Sequence, residues 1–235
     1  MKNNINTSQI HNRKIILEIR FRFKSKILDN KGNILDSIEN SKLLNPFVFA
    51  LGEYGIKAAD NSEESNERNA LYAEINRFSF ISSKIDSVDI YFQKFETMFK
   101  AFTDIVGDVE MLRIGCRIIG TYSCKSKTFK ELLINFKEVF PDKFYVDQFP
   151  VTDLRLQVIY QNGNYNIGPI NKGDIFTATN FTHSDVIDKL GTGIDVDNYF
   201  LGNDKYDGNL LTKVKDVFTA SLAVEKSLFD KLSEM

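Results

Sequence analysis

The 235 residues are 43% hydrophobic and 12% aromatic, ample apolar content for a packed core in a chain of this length. With 30 Lys and Arg against 32 Asp and Glu and a sequence pI near 5.8, no net field draws the chain to nucleic acid or anionic lipid, so binding of either kind requires a local patch. Two histidines, His11 and His183, and two cysteines without CxxC spacing argue against a structural zinc site, and neither GxxxxGK[ST] nor GxGxxG is present to cradle nucleotide phosphates.

Residues 1–12 read as a flexible polar tail, and no run approaches the roughly 18 apolar residues of a membrane span, so a cytoplasmic location is expected. From Lys14 to Lys24 the sequence alternates, with Ile15, Leu17, Ile19, Phe21 and Phe23 on one face and Ile16, Glu18, Arg20, Arg22 and Lys24 on the other, predicting a half-buried strand. The turn-forming run Asn30-Lys31-Gly32-Asn33 between Ile27-Leu28 and Ile34-Leu35 predicts a small hairpin. Pro46 to Leu51 is an apolar run too short to type, and Asp60 to Asn69 is polar and aperiodic, as in a mobile loop.

Leu71 to Ile81 alternates again and is read as one strand, although neither of its faces is purely polar. Asp86 or Ser87 then caps a helix carrying Val88, Phe92, Phe95, Phe99, Phe102 and Val106 at helical spacing, with Gly107 at its end. A further strand spans Met111 to Tyr122. On that strand Cys116 would share a face with Cys124, both as reduced thiols. Thr128 and Glu131 read as a capping box for a helix through Leu132, Leu133, Phe136 and Phe140, which Pro141 stops.

Leu154, Leu156, Val158 and Tyr160 lead to Asn162-Gly163 and back through Tyr165 and Ile167, a hairpin. Asp174 to Phe200 is expected to hold one or two strands and a helical turn, broken by Gly191 and Gly193. A final helix from Asn209 to Leu232 carries Leu211, Val214, Phe218, Leu222, Phe229 and Leu232 on one stripe. This order lacks the regular alternation of a doubly wound fold. It predicts one α+β domain over residues 13–235, a mostly antiparallel sheet with three main helices, either as a single unit or as two loosely duplicated halves with a seam near residues 141–150.

Three constellations bear on function. Arg20 and Arg22 with Lys24 on one strand face, Arg113 and Arg117 on another strand, and Arg155 on a third would present a basic surface for phosphates or carboxylates if those strands were neighbours. Glu18, Glu74, Glu110 and Asp153 lie on the same or nearby strands, so cross-strand ion pairs explain the same pattern. Asp195 and Asp197 would point the same way on a strand, as two ligands of a hard cation or as a solvated edge. Phe78 and Phe80 are either an exposed contact surface or a layer covered by a helix. His183-Ser184-Asp185 is no triad, because adjacent residues cannot take the nucleophile, base and orienter geometry.

The segments Leu17-Glu18-Ile19-Arg20-Phe21, Arg113-Ile114-Gly115-Cys116-Arg117 and Asp195-Val196-Asp197-Asn198-Tyr199 resemble those of a sporadically distributed bacterial protein family of unknown function, over nearly the whole chain. The sequence departs from that family at Ile118-Ile119-Gly120 and lacks the Leu-His-Asp of its final helix. The resemblance implies a bacterial accessory or defence-associated protein. The first expectation is a non-enzymatic binding or assembly component with a protein partner or a second copy, without cofactor and away from membranes. Nucleic-acid or anion binding through the arginines is the second, and a metal-assisted hydrolase around Asp195 and Asp197 the third.

Overall fold

A computed structural model describes residues 5–44, 47–60, 68–83, 85, 87–139, 151–160, 162–176, 185–205 and 210–235. In chain order these form strands β1 (Ile10–Phe21), β2 (Phe47–Leu51), β3 (Gly55–Asp60), β4 (Arg68–Glu74), β5 (Arg77–Ser83), β6 (Glu110–Tyr122), β7 (Leu156–Tyr160), β8 (Gly163–Ile170), β9 (Ile175–Phe176), β10 (Asp185–Val186) and β11 (Gly191–Lys205). The helices are α1 (Lys26–Asp29), α2 (Lys31–Asn40), α3 (Val88–Val106), α4 (Phe129–Glu138) and α5 (Leu210–Leu232). The fold is α+β. Nine strands make one antiparallel sheet in the order β2-β3-β4-β5-β1-β6-β11-β8-β7, and β9 pairs with β10. Among the described residues, no helix is long and apolar enough to cross a membrane.

The chain divides into two compact units, one of Lys14–Arg117 with Asn198–Ser221, the other of Lys2–Arg13, Ile118–Asp197 and Leu222–Met235. The proposed seam at residues 141–150 lies outside the described residues.

In the first unit, α3 begins at Ser87, whose hydroxyl accepts from the Ile90 N–H at 3.4 Å, and ends at Gly107. Its apolar face lies on the sheet because Phe95, Phe99 and Phe102 surround the ring of Phe78 at centroid distances of 5.7, 5.2 and 5.1 Å. Phe80 stacks on Tyr91, and Phe218 of α5 stacks on Phe92. Phe78 and Phe80 are therefore covered by a helix.

The segment predicted as one strand over Leu71–Ile81 is a hairpin, β4 and β5 joined at Ile75-Asn76, with Glu74 opposite Arg77. A turn exchanges the parity of inward residues, so Leu71 and Ala73 share the buried face with Phe78 and Phe80; this accounts for the mixed character of both faces in the single-strand reading. The hairpin predicted around Asn30-Gly32 is instead helical, α1 followed by α2. Ile34, Leu35 and Ile38 repeat at helical spacing and are buried, and α2 lies beside α3, so packing of an apolar stripe overrides the local turn residues.

In the second unit, Thr128 caps α4 by accepting from the Glu131 N–H at 3.2 Å, while the Glu131 carboxylate reaches back to the N–H of Lys127 at 2.8 Å. The helix lies against β8, and β7 and β8 form the expected hairpin. Gly191 and Gly193 do not break the chain; they lie inside β11. A Cβ at Gly191 would stand 2.3 Å from the Tyr122 carbonyl oxygen, so the glycine marks close approach of two strands. The segment read as a tail meets the sheet early: β1 begins at Ile10, and His11 is half-buried within it. Cys124 lies beyond the end of β6 and so does not share a strand face with buried Cys116, but both thiols are free.

Candidate functional site

The alternation of β1 puts Leu17 and Ile19 under the helices and turns Glu18 and Arg20 to the other face. There Glu18 gathers three guanidinium groups. Its carboxylate accepts from Arg20 Nε at 2.7 Å and Arg113 Nη1 at 3.1 Å, and lies 3.7 Å from Arg77 Nη1. Arg20 and Arg77 stand directly opposite in the β1/β5 register, a like-charge pairing that Glu18 between them and Glu74 beside Arg77 compensate. The Arg77 guanidinium lies 5.2 Å from the ring centre of Tyr72, and that of Arg113 lies 5.1 Å from the ring centre of Tyr199. A Cβ on Gly115 would meet Arg113 Nη1 at 2.8 Å, so the glycine lets this guanidinium fold back along its own strand. Two of the short segments that carried the family resemblance thus meet through Glu18, Arg20 and Arg113.

The remaining basic candidates are placed differently. Arg22 follows the end of β1, with its Nε 2.7 Å from Glu110, and Lys24 donates to the Asp108 carbonyl at 2.6 Å. Arg117 is exposed on β6. Arg155 precedes β7 in the second unit, largely exposed, with its Nε 3.4 Å from Asp153. The acidic residues Glu18, Glu74, Glu110 and Asp153 all take arginine partners; Glu18 with Arg77 and Arg113, and Glu74 with Arg77, pair across strands as expected, whereas Glu18–Arg20 lies within β1 and Asp153–Arg155 lies before β7. Arg77 escaped the sequence reading because the single-strand assignment hid its position opposite Arg20.

Asp195 and Asp197 are two apart on β11 and half-buried, and Asp195 accepts from Asn166 Nδ2 at 3.3 Å. Among the described residues, no group of three or more His, Cys, Asp or Glu is placed to hold a metal ion. His183 and Ser184 lie outside the described residues.

The second unit also buries a cluster of one ion pair and a phenol that the sequence reading missed. The Arg13 guanidinium and the Tyr122 hydroxyl both donate to the Glu225 carboxylate. Burial pushes the Glu225 carboxyl above its ordinary value against the opposing pull of Arg13 and the Tyr122 hydrogen bond, and burial also holds the Tyr122 phenol well above its usual range. The signal was present: Glu225 interrupts the α5 stripe between Leu222 and Phe229, at a position where the spacing calls for an apolar residue.

A further feature of the first unit lies at the end of the sheet. Two rows of side chains cross the strands on the helix-covered face. One runs Leu17, Phe80, Leu71, Ala58, Phe49, and the other Ile19, Phe78, Ala73, Ile56, Leu51. Every member is buried through β3, yet on β2 Phe49 is 58% and Leu51 62% exposed. The core rows therefore continue one strand beyond their cover. Among the described residues β2 has a neighbour on one side, β3, and Phe47–Leu51 contains no charge, proline or lysine of the kind that blunts an open edge.

Comparison of the sequence with protein-family models and with curated proteins finds no match.

Proposed function

We propose that this protein is a binding or assembly component that acts by taking a further strand from a protein chain onto the β2 edge of its sheet. The observation that supports this most is the pair of core rows that run buried through β1, β5, β4 and β3 and emerge exposed at Phe49 and Leu51. An added strand would satisfy the outward N–H and C=O groups of β2 and bury the two side chains, which combines backbone affinity with apolar burial in one contact. Anion binding through Arg20, Arg22, Arg113, Arg117 and Arg155 is less favoured, because Arg20, Arg22, Arg113 and Arg155 each already hold a carboxylate.

Light scattering coupled to size exclusion tests the reading on wild type and Leu51→Lys. Leu51 is exposed, so the lysine is tolerated by the isolated fold but places a charge in any strand–strand contact. The expected result is a wild-type mass above the 26.9 kDa of one chain that falls to it in the variant. A wild-type mass of one chain at all concentrations, with fast hydrogen exchange at the Phe49 amide, overturns it.

A further inference from the structure

We infer that the strand taken up by β2 is the β2 of a second copy, paired antiparallel about a two-fold axis at Phe49. The inference rests on the assembly reading above and names its partner.

The backbone decides which residues of β2 face outward. The Gly52 N–H donates to the Gly55 carbonyl at 2.9 Å, closing the β2–β3 hairpin, and the β2/β3 register continues that pair inward. In an antiparallel ladder hydrogen-bonding residues alternate, so Ala50 and Val48 direct their N–H and C=O groups to Lys57 and Ala59. Phe47, Phe49 and Leu51 direct theirs away from β3, to the open side. A two-fold axis at Phe49 then matches outward groups to outward groups along the whole strand. Phe49 meets the partner copy's Phe49, and Phe47 meets its Leu51, each pair exchanging both its N–H and its C=O.

The side chains are compatible with the same axis. Because the axis stands perpendicular to the sheet, the helix-covered face of one copy adjoins that of the other, and the exposed ends of the two core rows come together. Phe47 and Phe49, with ring centres 5.9 Å apart, already form a small aromatic surface on that face. The strand is neutral from Phe47 to Leu51, so self-pairing sets no like charges opposite one another, a condition that few edge strands with protective lysines meet. Lys31 clamps the hairpin end of this edge by donating to the Gly52 and Glu53 carbonyls at 2.7 and 3.1 Å, so the strand is presented already formed.

The axis makes a specific prediction about cysteine pairs. Val48 falls opposite Ala50 of the second copy, in a closely spaced non-hydrogen-bonded pair about 4.5 Å apart at Cα, within disulfide reach. Two Val48 residues are displaced from one another along the strands by about 7–8 Å, as are two Ala50 residues, beyond that reach. The experiment uses the full chain with half-buried Cys124 replaced by serine, leaving Cys116 in the core. Val48→Cys and Ala50→Cys proteins are oxidised separately and after mixing, and products are sized under denaturing, non-reducing conditions. The expected result is a band at twice the 26.9 kDa chain mass in the mixture and not in either protein alone, lost when both also carry Leu51→Lys. An assembled wild type without the mixture-specific band overturns the two-fold pairing and leaves the edge-binding reading in place. A single-chain mass overturns both.

Discussion

The guanidinium of Arg13 donates to the carboxylate of Glu225 with both side chains removed from water, 3% and 0% exposed. One lies on β1 and the other on α5, and the Tyr122 hydroxyl of β6 completes the cluster. Withdrawing two charges from water is expensive, and their attraction repays it only when each has its partner. Arg13→Met alone is therefore expected to destabilise by about 3–5 kcal/mol, whereas Arg13→Met with Glu225→Leu loses much less than the sum of the single changes. Urea unfolding of the two single variants and the double variant measures the coupling, and additive losses would refute it.

The same carboxylate carries a pH signature. Burial raises the folded-state value of Glu225 above its ordinary 4.5, so the folded protein holds this proton more tightly than the unfolded chain. Its contribution is complete below the unfolded value and is lost as pH rises through the folded one. Relative to Glu225→Gln, which has no proton to lose there, wild type should give up stability as pH climbs from below the ordinary carboxylate range. Unfolding midpoints of both proteins across that range check the sign; wild type gaining stability relative to Glu225→Gln as pH rises contradicts it.

Tyr91 of α3 occupies an unusual place in the first unit. Its hydroxyl accepts from the Leu17 N–H at 3.0 Å and donates to the Phe80 carbonyl at 2.8 Å, and these two residues are register partners on β1 and β5. The phenol stands in the ladder between them. Tyr91→Phe is expected to cost about 1–3 kcal/mol by leaving buried backbone groups unsatisfied, and to speed hydrogen exchange at the Leu17 amide. Unchanged stability and exchange would show that the strands close directly.

Glu18 is the hub of the arginine network, and Glu18→Gln keeps its shape while removing its charge. Arg20, Arg77 and Arg113 then lose the carboxylate they share, while Arg77 keeps its pairing with Glu74. Each of these partly exposed pairs is worth about 0.2–1 kcal/mol, and the repulsion released is screened by salt. The stability gap between wild type and variant should be largest at low ionic strength and narrow as salt is added, read from melting temperatures. A gap independent of salt would assign Glu18 a packing role instead.

Local pattern was enough for the elements whose burial follows their own periodicity. Alternation from Lys14 to Lys24 marked β1, the Ser87-to-Gly107 interval marked α3 with both ends, and Asn162-Gly163 marked the β7–β8 hairpin. In each case side-chain spacing and turn chemistry agree, so nothing distant has to arbitrate. Where they disagree, the tertiary structure ruled. Asn30 and Gly32 favour a turn, but Ile34, Leu35 and Ile38 gain more by burial as a helix, and that gain exists only once a surface is there to receive them. The phase change at Ile75-Asn76 is likewise visible in hindsight as two mixed faces, yet only strand pairing sets Phe78 beside Ala73 and Arg77 opposite Arg20.

By itself the sequence determined the α+β class and the antiparallel sheet, because these follow from the periods of apolar residues, while it left Phe78 and Phe80 open between an exposed surface and a layer under a helix. It also named Arg20, Arg22, Arg113 and Arg155 with the acids Glu18, Glu110 and Asp153 that pair with them, but neither Arg77 nor the pair Arg13 and Glu225. Which acid meets which arginine, the burial of Arg13 with Glu225, and the exposure of Phe49 and Leu51 were decided by register and strand order. Those are relations between residues far apart in the chain, and no local period encodes them. The five apolar residues Phe47–Leu51 read the same whether a strand is central or at an edge; only its place at the end of the sheet leaves Phe49 and Leu51 exposed.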